Sequence, residues 1–228
     1  MPLAAGVVHN GIAVAGAGVV IALSDGSVVW LDRKPVVAQN AGFVQRVNCG
    51  GKEFVDSEGR RWDADREFAA GAWGHVGGSG FDRIPDYNKI GENTQRKTVA
   101  GPDAYLYMTE LNRMSQYRFT VPNGPYALVL HFAETYFAPD MVFPNGDLGY
   151  VQRRFNVTVN GASVLRDFSP LRESGASHVP VVETVRTEVA NGEIVIGFER
   201  IEASAIINAI EVIAAPAGER SDMAPRKL

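Results

Sequence analysis

The alternation of apolar and polar positions along this chain has the period of strands. Phe155, Val157 and Val159 alternate with Asn156, Thr158 and Asn160, and Asn160-Gly161 then turns the chain into Ser163-Val164-Leu165. Period and turn together predict a hairpin with one solvated face. Tyr126 to Ala133 is apolar at successive positions and reads as a central strand covered on both sides, and Ile194 to Phe198 and Ile206 to Ile213 add two more strands. No helix-period segment of ten or more residues competes with them. Many short strands separated by Gly, Asn and Pro turns predict an all-β, jelly-roll-like sandwich.

Before this region, Ile12–Ala15, Val19–Leu23 and Ser27–Leu31 form three short predicted strands, closed by Asp32-Arg33-Lys34-Pro35. The run from Gly11 to Leu23 has the length of a signal-peptide core, yet no Lys or Arg precedes it and glycines interrupt it. Its continuation through Ser24-Asp25-Gly26-Ser27 into Val28-Val29-Trp30-Leu31 instead predicts a two-residue hairpin turn. A lone meander is too small for a domain. Residues 1–34 are therefore expected to be a short attachment, 43–214 the sandwich, and 215–228, rich in Pro, Arg and Ala, a disordered tail.

Composition narrows the function. The formal charge of −4 is small and dispersed, so the basic footprint of a nucleic-acid partner is missing. No run of about eighteen apolar residues predicts a spanning helix. Cys49 stands alone, which excludes an intramolecular disulfide or a cysteine zinc site. Neither Gly-x-Ser-x-Gly around Ser79 nor His-Glu-x-x-His occurs, and Gly16-Ala17-Gly18 lacks the third glycine of a dinucleotide loop. Asp63-Ala64-Asp65-Arg66-Glu67 offers alternating carboxylates to a calcium ion but no EF-hand glycine, and reads as a solvated charged strand. No metal or cofactor is expected.

Six phrases in order resemble malectin domains. They are Arg46-Val47-Asn48-Cys49-Gly50-Gly51, Asp103 to Glu110, His131 to Phe137, Phe155 to Gly161, Val164 to Phe168 and Ile207 to Val212. More weakly, residues 11–32 resemble the closing strands of a pyrroloquinoline-quinone-type β-propeller blade; otherwise they are an arm packed on the sandwich. The malectin resemblance implies a jelly-roll-like sandwich whose end loops bind glucose-containing oligosaccharide without catalysis. It also implies that the chain is part of a larger polypeptide located outside the cytoplasm.

A pyranose packs its C–H face on an aromatic ring and pairs its hydroxyl rim with carboxylates and amides. Tyr136 and Phe137, followed by Ala138-Pro139-Asp140, match the family's paired aromatic contacts; the other reading makes them loop-anchoring core rings. Tyr107 serves binding or packing, and strand alternation would put it on one face with Tyr105. Asn112 stands where the resemblance places a ligand-binding tyrosine, and Glu202 or Ala203 where it places an acidic contact. Trp73 to Asn93 reads as a long glycine-rich loop. Ser79 falls there near a position where the resemblance implies an aromatic contact, for which Trp73, Phe81 and Tyr87 are the candidate substitutes; the other reading of each is a ring that covers the core. Glu134, Asp140, Asp86 and Glu202 are the carboxylates a glycosidase would need to pair, but no matched pair is evident. The remaining alternative is a structural or protein-interaction sandwich without a sugar site, which burial of all these rings would favour.

Overall fold

The computed structural model describes residues 7–15, 18–32, 40–82, 99–137 and 152–216. Tyr87, Asp86, Asp140, the Gly16-Ala17 pair and the tail from residue 217 lie outside the described residues. The chain divides into two compact units, Met1–Val37 and Ala38–Leu228.

In the first unit β1 (Val7–Ala15), β2 (Gly18–Leu23) and β3 (Val28–Asp32) form an antiparallel meander in that order. Its second turn is one residue longer than the primed turn the sequence suggests. Leu23 N–H donates to the Ser27 carbonyl at 2.8 Å and Gly26 N–H to the Leu23 carbonyl at 3.0 Å, and Gly26 takes a positive φ of 84°. The Asp25 carboxylate decides this by accepting from Ser27 N–H at 2.9 Å, which fixes a type I turn followed by a left-handed glycine.

The second unit is the expected all-β sandwich. One sheet runs in the order β11 (Ala162–Phe168), β10 (Arg154–Val159), β13 (Glu193–Glu202), β8 (Thr109–Thr120), β14 (Ile206–Ile207), with β7 (Trp73–Asp82) on the other edge of β8. The other runs β12 (Val181–Val189), β9 (Gly124–Phe132), β15 (Ala209–Ala214), β4 (Val44–Asn48), β6 (Arg61–Ala64), β5 (Phe54–Val55). Two short helical turns, α1 (Tyr105–Met108) and α2 (Pro170–Ser174), complete the described elements.

The core fills by alternation. Phe155, Val157 and Val159 of β10 are buried and join Leu128, Leu130 and Phe132 of β9 across the two sheets. Phe132 packs on Phe168 with ring centroids 4.8 Å apart. The hairpin after β10 is the predicted two-residue primed turn: Asn160 and Gly161 both have positive φ, 48° and 81°.

Four expectations change. The glycine-rich stretch from Trp73 is not a loop as far as Asp82, because β7 pairs with β8 along its length. Gly74, Gly78 and Gly80 serve close backbone approach: a Cβ on Gly80 would lie 2.9 Å from the Gly50 carbonyl oxygen. Strand β9 is covered on both faces only near His131, where Trp62 meets the imidazole edge-on at 5.5 Å; Ala127 and Val129 remain half-buried on its outer face. Tyr105 and Tyr107 do not share a strand face, because α1 is helical and residues two apart diverge. Tyr105 packs on Phe54 at 5.3 Å, and Tyr107 hydrogen-bonds His131 Nδ1 at 2.9 Å. The Asp63 to Glu67 stretch is not wholly solvated either. Asp65 accepts from Tyr117 O–H at 2.5 Å and from Gly50 N–H at 2.6 Å, because the buried phenol needs an acceptor.

Candidate functional site

The chain leaving β9 is pinned before it reaches the site. Asn208 is fully buried between β14 and β15; its Oδ1 accepts from Ala133 N–H at 2.7 Å and its Nδ2 donates to the Thr109 carbonyl at 2.7 Å. This ties the exit of β9 to the start of β8. Glu134 follows at once, and its Oε1 accepts from the backbone N–H groups of Tyr136 and Phe137 at 2.9 and 3.0 Å. The carboxylate thus shapes the turn that carries both rings.

Arg153, just before β10, is the centre of the cluster. Its Nε lies 2.9 Å from Glu134 Oε2 and its Nη2 lies 3.7 Å from Glu110 Oε1. Its Nη1 donates to the Ser204 hydroxyl at 2.7 Å and to the Ser204 carbonyl at 3.1 Å. The guanidinium carbon sits 5.1 Å from the centroid of the Phe137 ring. Glu110 accepts from Thr135 Oγ1 at 3.2 Å through Oε2 and from Asn112 Nδ2 at 3.4 Å through Oε1. Glu110, Glu134, Arg153 and Asn112 are all buried. Burial pushes the Glu134 carboxyl above its ordinary range, and Arg153 and the two backbone amides oppose that rise only in part.

The two rings of the turn divide their labour. Tyr136 is 54% exposed, whereas Phe137 is 9% exposed and holds the tyrosine edge-on at a centroid distance of 5.0 Å. Strand β8 carries Glu110 and Asn112 on the face opposite the core residue Leu111. Across the β7–β8 ladder Ser79 is the Cα partner of Asn112, and Phe81 that of Glu110. Glu202 ends β13 opposite Arg154, with Oε2 3.5 Å from Arg154 Nη1, and stands two residues before Ser204.

Tyr136, Phe137 and Asn112 therefore join one constellation, and Glu202 stands close to it in the chain through Ser204. Tyr107 faces other partners: beyond the His131 bond it lies in the hydrophobic group around Trp62 and Leu106, and burial pushes its phenol up to about 12. Trp73 is half-buried with Arg66 stacked 4.0 Å over its ring. Sequence reasoning missed Arg153, Ser204 and the structural use of Glu110. Nothing in the Arg153-Arg154 pair told which arginine turns inward, since the fold of the turn after Ala203 decides it. Among the described residues no group of three or more His, Cys, Asp or Glu side chains is placed to hold a metal ion.

Comparison with known proteins bears on the family and the fold. The family described as the Malectin domain matches residues 43–217. Malectin-A of Xenopus laevis is 30% identical over 150 residues, covering 63% of this chain and 46% of that protein. The solved structure of Bacteroides uniformis β-glucuronidase shares the fold at a TM-score of 0.60 with 21% identity, over 89% of this chain and 23% of that one. The ANXUR2 extracellular domain from Arabidopsis thaliana does so at a TM-score of 0.56 with 18% identity, over 76% of this chain and 49% of that one. The chain spans less than half the length of the curated relatives it matches.

Proposed function

Because the chain belongs to the malectin family over residues 43–217, we propose that it is a non-catalytic carbohydrate-binding module that recognises a glucose-containing oligosaccharide at the Tyr136 end of its sandwich. The observation that carries this reading is an exposed ring with fixed polar groups directly behind it. Tyr136 is 54% exposed, while Glu134 holds its backbone and Arg153 holds Glu134. A pyranose stacks its C–H face on such a ring, and the buried ion pair behind it fixes the turn that presents the ring. Phe137 acts as the buried support of the ring, Asn112 as a polar contact and Glu202 as a rim carboxylate.

Among the described carboxylates of the cluster, burial supports binding over hydrolysis. A glycosidase needs two carboxylates reachable by substrate and water. Glu110 and Glu134 are each 0% exposed and lie against the same arginine. The module belongs, on this reading, to a longer polypeptide that meets glycans outside the cytoplasm, a view supported by its likeness to Receptor-like protein 4 of Arabidopsis thaliana and to the ANXUR2 extracellular domain.

Calorimetric titration of glucose disaccharides and trisaccharides into the protein and into Tyr136→Ala tests the reading. Binding by the first and a loss of about 2 kcal/mol or more in the second is the expected result. Equal affinities would remove Tyr136 from the site, and a glycan array on which the unmodified chain binds nothing would remove the carbohydrate reading itself.

A further inference from the structure

Of the strands that end the two sheets, one differs from the rest. Strand β5 has two residues, β11 pairs with β10 through register shifts, and β7 carries a shift against β8 and a bridge from His75 to Glu67. Strand β12 pairs with β9 at nine successive positions, from Val181 opposite Phe132 to Val189 opposite Gly124, with no shift. It contains no Pro or Lys, the residues that blunt a sheet edge, and among the described residues β9 is the one strand it pairs with. Such an edge holds out N–H and C=O groups to another strand.

The residues of β12 say which strand fits. Val185 and Val189 are 6% and 2% exposed and face the core, so Arg186 and Glu188 stand on the outer face. Near Val181 the strand adjoins the ring-bearing turn, because the His178 N–H donates to the Glu134 carbonyl at 2.8 Å, and α2 packs against it. Val185 to Val189 form the half remote from that turn. When two copies of this half run antiparallel about a two-fold axis through Thr187, Arg186 of each lies opposite Glu188 of the other, and Val185 opposite Val189. Charge is matched on the outer face and apolar surface on the inner one. Moving the axis to Arg186 would set that cation against itself, and moving it to Val185 would set Glu188 against Val182 and Arg186 against Thr184.

We propose that β12 is a homodimerisation edge, pairing antiparallel with β12 of a second copy about Thr187. The Arg186 and Glu188 pairs select the register. Because the joined strands run in opposite directions, the two Tyr136 turns point away from each other. On the carbohydrate reading, the dimer links two glycans and does not grip one twice.

The test reads oligomeric state alone, so its failure leaves the carbohydrate reading untouched. Analytical ultracentrifugation of the whole chain from about 1 to about 500 µM is expected to show a monomer–dimer equilibrium. Arg186→Glu and Glu188→Arg are each expected to weaken the dimer about tenfold or more, with unchanged melts. Both changes in one chain should restore it, and an equimolar mixture of the two single variants should form heterodimers. Thr187→Cys checks the register, since directly opposed Cβ atoms lie about 4.5–5.5 Å apart: mild oxidation is expected to link two copies through Thr187→Cys and not through Thr184→Cys. Cys49 is 0% exposed and does not compete. An unmodified chain that stays monomeric throughout overturns the proposal, as does a dimer that both single variants keep at full strength. If a charge variant loses its native melt, the cysteine variants decide: linking confined to Thr187→Cys supports the pairing, and equal linking in both, or none at Thr187→Cys, overturns it.

Discussion

Arg153 Nε lies 2.9 Å from Glu134 Oε2, and neither side chain is more than 4% exposed. A second buried carboxylate, Glu110, sits 3.7 Å from the same guanidinium. Arg153 therefore faces two acids at the foot of the ring-bearing turn, and the arrangement makes the site dependent on a residue that need not touch the ligand.

Arg153→Gln is expected to destabilise the protein by about 3–5 kcal/mol, because it leaves buried carboxylates without their cation. Urea unfolding of both proteins measures this. A change below about 1 kcal/mol would mean that the acids are relieved by protonation or water instead.

The pH dependence has a definite sign. The folded-state pKa of Glu134 is raised above its unfolded value near 4.5 by burial. In that window the folded form holds the proton more tightly than the unfolded form. The contribution of Glu134 to stability is therefore complete below the unfolded pKa and declines as pH rises through the folded one. Glu134→Gln should flatten this component of the stability profile between acid and neutral pH; an unchanged slope would refute the assignment. Asp56 acts in the opposite sense. Burial raises its carboxyl, but bonds from Trp62 and Arg60 outweigh that and bring it down to about 2, so its contribution is present above its ordinary range and fades as pH falls toward that value.

Tyr136 and Phe137 are adjacent, yet their alanine variants should fail differently. Phe137→Ala removes a buried ring that supports both Tyr136 and the Arg153 guanidinium, and is expected to cost about 3–5 kcal/mol of stability. Tyr136→Ala should leave the melting temperature unchanged within about a degree or two while glycan affinity is lost. Melts and titrations of the two single variants decide it; a collapsed melt in Tyr136→Ala would make that ring structural.

Residues 1–37 are proposed to be separable from the sandwich. A chain beginning at Ala38 should be soluble and melt cooperatively, since the core residues Val47, Phe119, Leu128 and Phe155 all lie beyond that point. Aggregation, or a broad melt, would make the N-terminal meander integral to the domain.

The sequence by itself determined the sandwich. Alternation at Phe155, Val157 and Val159, with Asn-Gly between two strands, leaves one face to bury and one turn geometry to adopt, and the structure follows both. It also determined that Tyr136 and Phe137 sit in a turn after β9. Which ring faces water was decided only in three dimensions, because the answer depends on Arg153 arriving from the start of β10 beneath Phe137. The glycine-rich β7 was misread for a related reason. Glycine signals a loop when only chain neighbours are considered, but Gly80 is small because the backbone of Gly50, remote in sequence, passes beside it. Local period and turn chemistry are written in adjacent residues. The buried cluster of Glu110, Asn112, Glu134 and Arg153 joins strand β8, the turn after β9 and the residue before β10, and a cation shared by acids so far apart in the chain leaves no local pattern to read.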